Sequence, residues 1–297
     1  MMREPMFAVV LIAAQLLGPA SGVRPPECGA QLKPNVWERV KSPELARYCE
    51  LLASGSSKLA STSPQPEAAR ALADLADKRV PGKAAPSVLR GRAREKLAQY
   101  IESFSEFSAA LAIDPAACDE PVALHAFSRA AAMSGHLAEA AKSYRALLPR
   151  ATALPADERG AAYVEAGLLL MGGGKGAAGD AVAVLRQARR ESHDSLAAVA
   201  ALALALALDR ADLGDEAEAV LRERREELRA ALLEARTRVA IAVAPAEAAA
   251  LAALSLEISS PVGAAAAWRA YADAGGVWSD HARSRAASLL APKGRPR

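Results

Sequence analysis

Residues 196–208 read LAAVAALALALAL, and three structures compete for them: a strand, a membrane span, or a helix covered on two sides. A half-buried strand alternates polar with apolar residues. Here Ala alternates with Leu, so neither face is polar. As a helix the stretch rises only about 20 Å at 1.5 Å per residue, too little for a hydrocarbon core of about 30 Å. A buried helix accommodates the pattern. Leu202 and Leu206 lie on one stripe, and Leu204 and Leu208 form another, rotated from it by about 200°. Apolar stripes on nearly opposite sides require cover on both, which is the position of an inner helix stacked between neighbours.

The rest of the chain agrees with that reading. Its 297 residues can bury a sizeable core. Aromatics make up 4%, and Ala and Leu, the strongest helix formers, dominate the apolar share. An all-α fold follows. Apolar periodicity and breakers place helices at 43–53, 67–78, 87–112, 120–134, 137–149, 157–171, 178–191, 195–208, 215–238, 245–257, 261–273 and 278–290. Short connections between them make consecutive helices antiparallel neighbours. The Ser- and Pro-containing stretch 54–67 (SGSSKLASTSPQPE) reads as a linker. The domains expected are thus a helical segment and linker over 23–66, a helical array over 67–290, and a disordered basic tail over 291–297. The net charge of +3 is small and its Arg and Glu residues are interleaved, so no basic face suggests nucleic acid.

The first 22 residues carry Arg3, an apolar run from Met6 to Leu17, and the small residues Ala20, Ser21 and Gly22. That is the build of a secretory signal peptide with cleavage after Ala20 or Gly22; an uncleaved anchor is the rival reading. Its apolar core of about a dozen residues falls short of the roughly 20 that a span needs. Export would place Cys28, Cys49 and Cys118 in an oxidising compartment. Cys28 and Cys49, the nearest pair, could form a disulfide; the alternative is three buried thiols. The Ala- and Arg-heavy composition suits a GC-rich bacterium, so the expected location is the periplasm or the secreted fraction.

A recurring unit emerges when helix pairs are aligned on a small residue followed by a bulky one four positions later. The pairs are Ala140 and Tyr144, Ala181 and Leu185, Ala217 and Leu221, and Ala264 and Trp268. Each follows another apolar helix, marked by Leu124 and Phe127, Leu168 and Leu169, Leu204 and Leu208, and Leu251 and Leu254. The anchoring alanines are 41, 36 and 47 residues apart. This resembles the tetratricopeptide repeat, a helix–turn–helix of 34 residues in which a small residue lets paired helices pack closely. The resemblance implies a right-handed solenoid of α-hairpins over roughly 87–290 and a role in protein–protein interaction. The steps longer than 34 residues and the replaced Trp, Gly and Tyr positions carry over no functional residues.

No catalytic constellation stands out, and no cofactor is expected. His125, His136, His193 and His281 are dispersed, none at the i, i+4 spacing that puts two ligands on one helix face. His125 reads as a groove or core residue. GGGKG (172–176) lacks the Gly-Lys-Ser/Thr ending of a phosphate loop. Asp209, Asp212 and Asp215 lack the alternate spacing of a calcium loop and read as helix-end residues. The charged run 222–238 (RERREELRAALLEARTR) reads as an exposed, salt-bridged helix. Trp268, Tyr271 and Trp278 form the main aromatic concentration. They either seal the last repeat or contact a partner. The expectation is a non-enzymatic scaffold for a protein or peptide of the cell envelope. The alternative is an envelope module that binds cell-wall glycan or assists an envelope enzyme.

Overall fold

A computed structural model describes residues 25–28, 42–223, 242 and 245–291. The expected signal peptide (1–22), most of the charged run 222–238, and tail residues 292–297 lie outside them. The described residues form thirteen α-helices and no strand. In chain order they are α1 (Pro43–Ala60), α2 (Pro66–Arg79), α3 (Ala84–Lys96), α4 (Tyr100–Ile113), α5 (Pro121–Met133) and α6 (Leu137–Leu147). Then come α7 (Ala156–Met171), α8 (Ala178–Glu191), α9 (Asp194–Arg210), α10 (Gly214–Glu223), α11 (Pro245–Glu257), α12 (Pro261–Asp273) and α13 (Ser279–Leu290). None of them is long and apolar enough to cross a membrane.

Consecutive helices pack in pairs, and contacts also run α1–α3, α3–α5, α7–α9 and α9–α11. Helices α1, α3 and α5, and again α7, α9 and α11, therefore stack side by side in a first layer, with their hairpin partners in a second. Three core clusters follow one another along the chain rather than sharing one centre. Helices of the first layer belong to two clusters at once. On α3, Leu89 packs into the N-terminal cluster and Val88 into the middle one. On α7, Ala162 and Ala166 join the middle cluster while Val164 and Leu168 join the C-terminal one. This two-sidedness makes an α-hairpin array. It reaches its limit in α9, where every residue from Ala198 to Arg210 is buried.

The alanine anchors lie at the pair interfaces: Ala140, Ala181, Ala217 and Ala264 are all buried, as are Tyr144, Leu185 and Trp268. Close approach is carried further at Gly167, where a Cβ would stand 2.4 Å from Leu185 Cγ. Leu185 is the bulky residue of its own unit, so a missing side chain on α7 makes room for it.

Two expected boundaries are corrected. The stretch 54–67 is not a linker, because α1 continues through it to Ala60. Gly55 lets α1 approach α3, a Cβ there lying 2.5 Å from Leu89 Cδ2. Burial of Ser56 and Leu59 then outweighs the weak helix propensity of SGSS. The span 87–112 is not one helix. Ala98 takes a left-handed φ of 57°, and the Gln99 N–H reaches back to the Arg94 carbonyl at 2.9 Å. That stop is usually built on glycine, which is why Leu97-Ala98-Gln99 gave no signal. The Gly-rich gap behaves as a turn, with Gly174 at φ 93°.

Cys28 and Cys49 are joined by a disulfide across a separation of 21 residues, with Cα atoms 5.7 Å apart. Cys118 is a buried thiol, its pKa pushed up to about 12 by burial.

Gly167→Ala gains helix propensity but overpacks Leu185, so it should lose about 1–2 kcal/mol in urea unfolding. Gly179→Ala, where a Cβ meets open space, should stay within about 0.5 kcal/mol or gain slightly. Equal effects at the two positions would contradict the close packing of α7 on α8. Cys49→Ser should cost about 3 kcal/mol in the same measurement, and no loss would mean that the crosslink does not constrain the unfolded chain.

Candidate functional site

Charged residues inside the first layer are the polar features that the fold positions most firmly. Glu165 sits mid-way along α7 with 0% exposure, between Val164 and Ala166. His125 Nε2 on α5 donates to its Oε2 at 3.0 Å, and the Tyr144 hydroxyl on α6 donates to the same oxygen at 2.8 Å. The other oxygen accepts from the backbone N–H of Ala242 at 2.8 Å and pairs with Arg129 Nε at 3.2 Å. Arg129 also reaches Glu95 on α3 at 3.0 Å. On the outer side of His125, Nδ1 stands 3.6 Å from Glu158, which Lys96 meets at 3.1 Å. These groups bring α3, α5, α6, α7 and the segment at residue 242 together.

The electrostatics follow from this geometry. Burial opposes charging of His125, but its contacts with Glu158 and Glu165 outweigh burial and lift its pKa to about 9. The imidazolium is therefore the form present at neutral pH. Burial likewise opposes ionisation of Glu158, and His125 and Lys96 overcome it, bringing that carboxyl down to about 2. Glu165 also lies below the usual carboxylate range, held there against burial by Arg129, His125 and the Ala242 amide. Burial pushes the Tyr144 hydroxyl well up, so it remains a donor.

A second cluster closes the C-terminal end. Arg210, the last residue of α9, pairs with Glu247 on α11, and its Nη2 donates to the Tyr271 hydroxyl at 3.2 Å. Its guanidinium carbon lies 5.0 Å from the centre of the Trp278 ring, within cation–π range. The Trp278 indole N–H donates to the Met171 carbonyl at 2.9 Å. Beside it, Asp209 accepts from His281 at 2.5 Å and from Arg285 at 2.6 Å. Arg285 also donates to both oxygens of Glu257 at 2.9 Å, and the Trp268 indole donates to that carboxylate at 2.7 Å.

These placements revise the sequence reading of several residues. Trp268, Tyr271 and Trp278 are 1%, 6% and 2% exposed, so their rings face the core rather than a partner. Their polar atoms are spent on Glu257, Arg210 and Met171. Asp209 is not a simple helix-end residue but a buried acceptor for α13, while Asp212 takes a turn conformation at φ 59°. His136 stacks on Phe104 with ring centres 3.8 Å apart. Sequence reasoning missed Glu165, Glu95, Arg129 and Arg210. For Glu165 and Arg129 the signal was an isolated charge inside an otherwise apolar stretch, as in AAYVEAGLLL (161–170), whereas Glu95 lies in the charged run RAREK (92–96) and Arg210 follows Asp209 at a helix end.

Chemically the clusters are clasps. Their charged groups are matched to partners from distant parts of the chain, and the central carboxylate is out of solvent reach. Among the described residues, no group of three or more His, Cys, Asp or Glu could hold a metal ion. No family model matches the chain, and no curated protein is similar to it in sequence.

Glu165→Gln leaves His125 and Arg129 without their shared anion and should cost about 3–5 kcal/mol. The pH dependence has a definite sign. The stability from His125 is complete below its ordinary 6.5 and is lost as pH rises through about 9. The stability from Glu158 is complete above its ordinary 4.5 and is lost as pH falls through about 2. Urea unfolding across pH 2–10 should therefore show this cluster's contribution greatest between pH 4.5 and 6.5. His125→Gln should remove the alkaline decline, and an unchanged decline would refute the assignment.

Proposed function

We propose that the chain is a non-enzymatic interaction scaffold, built from tetratricopeptide-like helix pairs and acting outside the cytoplasm on a protein or peptide of the cell envelope. The observation that carries this reading is the two-layer order of the hairpins. Each pair covers the next, so the chain builds extended faces rather than one closed core. The Cys28–Cys49 disulfide adds support for the location, since such bonds persist in oxidising compartments and are rare in the cytosol. The pattern of residues 1–22 points the same way. Glycan binding through Trp268, Tyr271 and Trp278 loses its motive, because those rings lie within the core.

The test is crosslinking followed by affinity purification of the tagged full chain from its native cells, with N-terminal sequencing of the recovered protein. A specific envelope protein should be enriched, and the mature chain should begin after Ala20 or Gly22. Recovery from the cytosol with residues 1–22 intact, and with no protein above background, would overturn the proposal.

A further inference from the structure

Arg92 stands on the inner layer at α3, 5% exposed, and its Nη1 has no hydrogen-bond partner among the described residues. Buried polar atoms are satisfied in the great majority of cases, and an exception calls for a water or an ion. Burial penalises the charged guanidinium, and attraction from Glu120, Glu158 and Glu95 only partly offsets this. None of the three carboxylates is free to turn toward it. Glu95 takes Arg129 at 3.0 Å, Glu158 faces Lys96 at 3.1 Å and His125 at 3.6 Å, and Glu120 accepts the Ala123 N–H at 3.0 Å as the cap of α5.

Arg92 borders a cavity of about 10 Å³ between α3, α5 and α7. Space of that size holds a single water-sized guest. With His125 charged, four cations (Arg92, Lys96, His125, Arg129) and two carboxylates (Glu95, Glu158) line it, with Glu165 and Glu120 behind. Leu59, Val122 and Ala126 complete the wall. We propose that this cavity is a binding site for one small inorganic anion of halide size, held by Arg92 Nη1. The guest has to be compact, because an oxyanion would press its remaining oxygens against Glu95 and Glu158.

The test uses the full chain at pH 7 and fixed ionic strength, with sodium gluconate replaced stepwise by sodium chloride or bromide. The melting midpoint should rise by about 2–4 °C as the site saturates. Crystals soaked in bromide should show an anomalous peak within about 3.5 Å of Arg92 Nη1. Arg92→Gln should abolish both effects. If that variant does not fold, the wild-type titration and the bromide peak decide between anion and water. Absence of either wild-type signal means that water fills the cavity, and the proposal fails. Retention of either signal in Arg92→Gln places the anion elsewhere and equally overturns it.

Discussion

From residue 196 to 208 helix α9 has no polar face, and the rest of the structure accommodates that constraint. Each of Leu202, Leu204, Leu206 and Leu208 is buried, contributing about 2 kcal/mol when removed from water. Burial on opposite sides requires cover on opposite sides. Helices α7 and α11 supply it within the layer, and α8 and α10 supply it from the other layer. Alanines between the leucines keep the helix slim enough for these neighbours to approach. The same logic, in weaker form, explains why α3 and α7 each serve two clusters.

A layer built of Ala and Leu is a poor guide to register, since one apolar turn resembles the next. The buried charges supply the missing specificity. Glu165 joins His125, Arg129 and Tyr144 to an amide 77 residues downstream. Asp209 and Arg285 are tied across 76 residues. Such pairs add little net stability, because desolvation offsets their attraction. A wrong register, however, leaves charges buried without partners, at a cost of several kcal/mol. They act as keys more than as glue.

Much of the fold was legible because it rests on composition and period. The inner position of α9, the all-α class and the alanine anchors follow from residue spacing alone. What was not legible depends on contacts between distant segments. Ala98 closes α3 in a conformation that its identity does not suggest, and SGSS is helical because Gly55 meets Leu89. The ionic clusters escaped for a related reason: a Glu or Arg on a helix is read as solvated unless its partners, 21 to 77 residues away, are known. The aromatic residues near the C-terminus show the converse, since rings that could serve a surface are held inside by Glu257, Arg210 and Met171.

Native-state hydrogen exchange of α9 tests the central claim most directly. If this helix is enclosed on all sides, amides from Ala198 to Leu208 should be among the slowest in the chain. They should exchange only through global unfolding, with a urea dependence equal to that of equilibrium denaturation. Exchange of these amides at the rate of the outer helices α2 and α10, insensitive to urea, would show that α9 opens locally and that the two-sided packing is wrong.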